Sequence, residues 1–265
     1  MELIKVGDIA AALENYAPAG LAGDFDNVGL LVGRSASPVS DVLLTLDVDK
    51  QVVTEALVTG AQMIISHHPI MFSPKKQITD LSIEGELILF MIENGIALYT
   101  AHTNLDKVSG GLNDLFAAFL GLVNVSVLKE NESETGYGSG RIGYLDGETT
   151  LFELAQRCKK LFNMPFINVT GDVNAPVERI AICTGGGASM LKFAIEGRAD
   201  VFISGDIKYN DTRDAAAAGL NIIHTGHYNT EIFAMDLFEK ILTEAFGGGL
   251  KYHKSKSNVN VIKAV

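Results

Sequence analysis

Short apolar runs alternate along the chain with longer stretches in which apolar residues recur every three or four positions. Strand side chains alternate between faces, or are apolar throughout when both faces are buried, whereas a helix buries a single stripe. The runs predict strands over Val42 to Leu46, Met63 to Ser66, Ile96 to Thr100, Arg141 to Leu145, Arg179 to Cys183, Val201 to Ser204, Asn221 to His224 and Val259 to Val265. The helical spacing predicts helices over Val52 to Thr59, Ser82 to Asn94, Leu112 to Leu122, Thr149 to Phe162, Ser189 to Glu196, Thr212 to Ala218 and Thr230 to Ala245. Strand and helix in alternation make βαβ units, so the predicted fold class is α/β, with mostly parallel sheets flanked by helices.

The pattern repeats itself. "VLLTLDVDKQVVTEALVTGAQMIISHH" (42–68) aligns without a gap on "IAICTGGGASMLKFAIEGRADVFISGD" (180–206), placing Ala61 on Ala199, Ile65 on Ile203 and Ser66 on Ser204. Downstream, "GIALYTAHTNLD" (95–106) and "GLNIIHTGHYNTE" (219–231) each run from a glycine through an apolar strand into His-x-Asn-x-acid. Repeats point to two similar α/β domains. The polar, glycine-containing "LKENESETGYGSG" (128–140) has no apolar period and reads as their connection. The expected domains are 1–128 and 129–265, with the C-terminal strand packing back on the first.

Composition narrows the class. A chain of 265 residues, 47 % apolar and 20 % charged, has the make-up of a globular protein of two ordinary domains. No apolar stretch reaches bilayer length, and "MELIKVGDIAAALENYAP" mixes Glu2, Asp8 and Glu14 into its apolar residues, so it reads as an amphipathic helix rather than a signal peptide. A cytoplasmic location is expected. Cys158 and Cys183 are too few for a disulfide framework and lack metal spacing; both read as small buried hydrophobes. The net charge of −11 opposes phosphate attraction and disfavours nucleic acid as a partner. The one basic cluster, in "KYHKSKS" (251–257), reads as a solvated turn.

Within "MIISHHPIMF" (63–72), an apolar strand ends in two adjacent histidines. In open α/β sheets ligands gather beyond the carboxyl ends of strands, where His67, His68, His102 and His227 all fall. Adjacent residues of a regular strand point to opposite faces, but at a strand end turned by Pro69 the two rings can serve neighbouring positions. His227 and Glu231 are spaced i, i+4 for one helical face. His102 and Asp106 have the same interval, with Asp106 expected in a loop because the next helix starts after Gly110-Gly111. Imidazole and carboxylate without thiolate suit zinc, manganese, iron, cobalt or nickel, and six such groups exceed the needs of one tetrahedral ion, so the set matches a two-metal site. The plainer alternative is a loop edge of hydrogen-bonded imidazoles, which is how His224 and His253 are read. "CTGGGAS" (183–189) could cradle an anion with backbone amides, but it lacks a P-loop lysine and reads first as a turn that packs helix on strand.

Four stretches, "DFDNVGLLVG", "SHHPIMF", "AHTNLDKVSGGLND" and "GHYNTE", supported by "SGDIKY", resemble the dinuclear-metal proteins named GTP cyclohydrolase 1 type 2 homologues, the Nif-three-like family. They span nearly the whole chain in the family's order. The resemblance implies a two-domain α/β subunit assembling into a toroidal homohexamer. It also implies that His67, His68, Asp106, His227 and Glu231 ligate metal, with His102 a further ligand or a group orienting Asp106. Phe25 stands where relatives commonly have tryptophan, and Asn210 where they often have histidine. The expected function is a metal-dependent hydrolase of a phosphoester or nucleotide, with two divalent ions per subunit. The alternative is a non-enzymatic metal-binding regulator, chaperone or scaffold. Asp206, Tyr209 and Asp114 are the candidates for a separate acid or base.

Overall fold

The computed structural model describes residues 3–131 and 136–263. In chain order it runs α1 (Val6–Tyr16), β1 (Gly29–Val32), β2 (Asp41–Thr45), α2 (Lys50–Thr59), β3 (Met63–Ser66), α3 (Ile83–Glu93), β4 (Ala97–Thr100) and the one-turn α4 (Thr103–Lys107). There follow α5 (Leu112–Leu120), β5 (Leu122–Glu130), β6 (Gly138–Thr150), α6 (Leu151–Leu161), β7 (Asn168–Thr170), β8 (Pro176–Gly186), α7 (Leu191–Glu196), β9 (Val201–Gly205), α8 (Tyr209–Ala217), β10 (Asn221–His224) and α9 (His227–Glu231). The last elements are α10 (Ala234–Phe246) and β11 (Lys251–Lys254). Among the described residues no helix is long and apolar enough to cross a membrane.

Two compact units result. The first comprises Met1–Leu105 with Ile232–Val259, the second Asp106–Glu231 with Asn260–Val265. The chain therefore leaves the first unit at Leu105 and re-enters it after Glu231. The stretch 128–140, expected to join two domains, covers the end of β5 and the start of β6, which are antiparallel neighbours in one sheet. A polar, glycine-containing segment reads alike as a linker or a hairpin loop, and only the pairing decides between them. Residues 132–135 of that stretch lie outside the described residues.

The first unit is built on a sheet of order β1-β4-β3-β2-β11. β4, β3, β2 and the edge strand β11 run parallel, and β1, on the other edge, is antiparallel to β4. β3 is buried along its full length, as expected of a short all-apolar strand at the centre of a parallel sheet. α2 covers one face: the Asp49 carboxylate accepts from Val52 N at 2.8 Å to start it, and Gly60, at φ 75°, ends it. Its core joins Leu43, Val52, Ile64, Met91 and Leu98.

The second unit carries the six-stranded sheet β5-β6-β8-β9-β10-β7. Only β8-β9-β10 run parallel; the β5-β6, β6-β8 and β10-β7 pairs are antiparallel, so the sheet is mixed rather than mostly parallel. The long β6 returns directly on β5 and β8, and direct returns make antiparallel pairs. Phe202, Ala181, Ile222, Leu191 and Ala194 form the core.

Other expectations change at the chain's edges. The strand expected over 259–265 is absent from residues 259–263, and 264–265 lie outside the described residues. The strand forms earlier, as β11, within the stretch read as a solvated turn: it pairs parallel with β2, and His253 Nε2 meets Asp41 Oδ1 at 3.0 Å. Charged residues on both sides hid it, since only Tyr252 and His253 are half-buried. The single helix expected from Thr230 to Ala245 is two, α9 and α10.

Candidate metal centre

In the first unit β3 and β4 are adjacent and parallel, in register from Met63↔Ala97 to Ser66↔Thr100. Their carboxyl ends therefore emerge side by side and carry His67, His68 and His102. The Ser66 and Thr100 hydroxyls meet at 2.8 Å beneath them. The ring centroids lie 5.1 to 5.4 Å apart, and one nitrogen from each ring falls within 4.8 Å of the other two, a cluster that could hold a metal ion.

Each ring is fixed through the same atom. His67 Nδ1 lies 2.9 Å from the Ala101 carbonyl, His68 Nδ1 lies 2.7 Å from Asp47 Oδ1, and His102 Nδ1 lies 2.8 Å from Asp26 Oδ1. Carbonyl and carboxylate oxygens only accept, so each Nδ1 carries the hydrogen and Nε2 presents a lone pair. This is the arrangement in which a neighbouring oxygen sets the tautomer and aim of a metal-binding imidazole. His224 and His253 instead bond through Nε2, to Thr170 Oγ1 at 3.2 Å and to Asp41, and sit away from the cluster as structural residues. Burial lowers the His224 pKa, which keeps that ring neutral.

Asp26, in the motif "DFDNVG", does more than face His102. Its second oxygen accepts from Thr103 N at 3.0 Å and Thr103 Oγ1 at 2.5 Å. Burial opposes its charge, yet the hydrogen bonds from His102 and Thr103 outweigh burial and hold the carboxyl far below the usual carboxylate range. The neighbouring Asn27 donates to the Met71 carbonyl at 2.7 Å, tying this loop to the segment after His68.

In the second unit Asp106 lies within α4, not in a loop: the turn starts at Thr103, just past His102, and closes at Lys107. Its Oδ1 accepts from Thr184 Oγ1 at 3.1 Å, and its backbone carbonyl accepts from Asn113 Nδ2 at 3.1 Å. Asn113 Oδ1 in turn accepts from Thr184 N at 3.0 Å, so β8 and α5 hold Asp106 from two sides. His227 and Glu231 occupy the two ends of α9, with His227 Nε2 at 2.8 Å from Glu231 Oε2, and carboxylate oxygens of Asp106 and Glu231 lie within 4.8 Å of each other. His227 Nδ1 lies 2.7 Å from Asp206 Oδ2. The ring thus faces a carboxylate at each nitrogen, while a neutral imidazole has one N–H to give. The second contact calls for added positive charge, a second proton or a metal cation, which is a fit for metal that depends on this geometry alone.

Glycines make room for this arrangement. At Gly185, φ +60°, a Cβ would collide with the Glu231 carboxylate and come within 3.2 Å of His227 Nε2. At Gly205 it would meet His227 N at 2.5 Å. The run "CTGGGAS" therefore serves α9: β8 continues through Gly186, and Gly185 N donates to Thr230 Oγ1 at 2.9 Å. Cys183 stands beside these residues. Burial first, then the charges of Asp106 and Glu231, push its thiol well above its ordinary value, and it behaves as the small hydrophobe expected. Among the suggested acid or base groups, Asp114 binds Arg141 at 2.6 and 2.8 Å, Asp206 supports His227, and Tyr209 is exposed at the start of α8.

Sequence reasoning missed Asp26, Asp47, Thr184 and Asn113 as supports. The signals were present: Asp26 lies inside a quoted motif, and Asp47 follows the carboxyl end of β2, beside the strand that delivers His68.

The chain is 36 % identical to a GTP cyclohydrolase 1 type 2 homolog of Lactococcus lactis over 260 residues, covering 97 % of this chain and 98 % of that one. Its fold matches the crystal structure of a Bacillus cereus protein related to NIF3 with a TM-score of 0.91, at 25 % identity and 100 % coverage of both chains. Reduced HcgD from Methanocaldococcus jannaschii superposes with a TM-score of 0.81 at 30 % identity, covering 96 % of this chain and 98 % of that one. The profile of the Duf34/NIF3 (NGG1p interacting factor 3) family matches residues 4–260. Motifs, fold and profile agree, and the chain belongs to the Duf34/NIF3 family.

Proposed function

We propose that this protein is a metal-dependent hydrolase of phosphoesters or nucleotides, working as a homohexameric ring in which each subunit holds two divalent ions. His67, His68, Asp106, His227 and Glu231 are the ligands of this reading, and His102 joins them. The observation that carries it is the common preparation of four imidazoles, each with Nδ1 tied to an oxygen at 2.7 to 2.9 Å. A pair of divalent ions would supply Lewis acidity and lower the pKa of a bound water to about 7. The residues supply the rest: Asp47, Asp26 and Asp206 keep the rings aimed, Thr184 holds Asp106, and the glycines at 185 and 205 keep bulk away from Glu231 and His227.

A second reading, a metal-binding regulator, chaperone or scaffold without turnover, is favoured by one observation. Asp114 is committed to Arg141 and Asp206 to His227, so neither serves as a separate proton donor. Metal analysis of native protein beside Asp106→Ala and Glu231→Ala, with phosphoester and nucleotide hydrolysis assays after reloading with zinc, manganese or iron, separates the two. About two metals per chain, lost in the variants together with turnover, is the expected result. Metal without turnover on any substrate selects the second reading, and no metal under any loading overturns both.

A further inference from the structure

The segment after β11 reaches back to the histidine cluster. Glu55, on α2, accepts from Ser255 Oγ at 2.6 Å, Lys256 N at 2.9 Å and Ser257 N at 3.1 Å, so one carboxylate clamps three consecutive residues. Ser255 N also donates to the Leu44 carbonyl, and Ser255 Oγ accepts from Asn258 N at 3.2 Å. The clamp delivers the buried Asn258 side chain to the loop after β2. There its Oδ1 accepts from Leu46 N at 3.1 Å and its Nδ2 donates to Asp47 Oδ2 at 3.2 Å. The amide has one satisfying orientation, since a flip would set donor against donor and acceptor against acceptor.

Both contacts lead to His68. The carbonyl of Leu46 accepts from His68 N at 2.9 Å, and the other oxygen of Asp47 holds His68 Nδ1. Asn258 thus grips the two-residue segment that binds His68 by its backbone and by its ring. We infer that Asn258 is a positioning residue: through Asp47 it fixes His68 in the Nδ1–H form, making the C-terminal segment a latch on the histidine cluster. The importance of the latch for metal rests on the reading above; its effect on the ring does not.

The test follows ring tautomers by long-range ¹H–¹⁵N NMR in metal-stripped protein, at a pH well above the ordinary imidazole pKa. A ring held by a carboxylate keeps the tautomer that contact selects, and a loosened one exchanges. Native protein should show His68 as Nδ1–H. Asn258→Ala should shift His68 toward Nε2–H and leave His67, whose partner is the Ala101 carbonyl, unchanged. Glu55→Gln, which weakens the clamp away from the loop, should shift His68 in the same direction by less and serves if Asn258→Ala folds poorly. Zinc affinity, by competition with a chelator, should fall about tenfold in Asn258→Ala, at the lower end of outer-partner effects. A lowered melting temperature with the His68 tautomer intact in both variants means that the tail only braces the fold, and overturns the inference. The tautomer is read without metal or substrate, so failure of the hydrolase reading leaves this result standing.

Discussion

The two repeats keep one frame and divide the chemistry between them. Val42↔Met63 and Met63↔Ala97 in the first correspond to Ile180↔Val201 and Val201↔Asn221 in the second, so β2-β3-β4 and β8-β9-β10 share a register. The strand ends differ. Where the first has Asp47, His67 and His68, the second has Gly185, Gly205 and Asp206. The first places histidines directly on its strand ends, with Asp47 supporting His68. The second clears those positions, brings imidazole and carboxylate in on α9, and turns Asp206 to support the incoming His227. A duplicated scaffold can therefore present imidazole and carboxylate groups from a strand end or from the helix that follows it, and the glycines at 185 and 205 mark the second arrangement.

The comparison breaks most sharply at Gly185. Gly185→Ala drives a methyl into the Glu231 carboxylate at a left-handed backbone position, itself disfavoured by about 1–2 kcal/mol. Metal content per chain should fall to a small fraction of native. Gly219→Ala, at φ +85° with open space around it, should share the backbone strain and retain its metal. Equal metal loss in the two would show that backbone strain, not space for Glu231, governs the position.

A middle-sized effect separates the supporting carboxylates. Asp26→Ala removes the acceptor of His102 Nδ1, Thr103 N and Thr103 Oγ1, whereas Asp206→Ala removes that of His227 Nδ1. Both should weaken metal binding by about 10–100-fold, with Asp26→Ala at the upper end. Titration calorimetry of the metal-stripped variants checks the order.

The smallest effect is a pH dependence. Burial opposes the charge of Glu55, but hydrogen bonds from Lys256, Ser255 and Ser257 outweigh it and hold its pKa below the ordinary glutamate value. A carboxyl depressed in the folded state contributes stability in full above its unfolded value, about 4.3. That contribution is lost as pH falls through the lower folded value. Amide hydrogens of 255–258 should lose exchange protection there first in native protein, and Glu55→Gln should lack that acid-dependent step.

Much of this was legible in the sequence where burial is extreme. Met63 to Ser66 and Asn221 to His224 match their strands end for end, because a short apolar run with β-branched residues fits a strand paired on both sides. The His, Asp and Glu residues that cluster in each unit were singled out as well, from residue type and spacing. What escaped depends on pairing rather than pattern: β11 is half charged, and β1 and β7 are short edge strands. The repeat itself hides an offset. Thr100 lies two residues before His102, but its register equivalent His224 lies three before His227, because Gly226, at φ 74°, adds one residue. His102 therefore precedes its helix while His227 begins its own. Supports such as Asp26 and Asn258 were invisible because their partners lie 76 and 211 residues away.

That last separation also sets an order of events during synthesis. Asp47 leaves the ribosome 211 residues ahead of the asparagine that holds it. At about 5–20 residues per second, that is a delay of roughly ten to forty seconds. Residues 106–231, the main span of the second unit, are made before α10 and β11 exist to finish the first. A nascent chain thus carries three histidines on an unfinished sheet until Asn258 emerges to hold the loop beside His68.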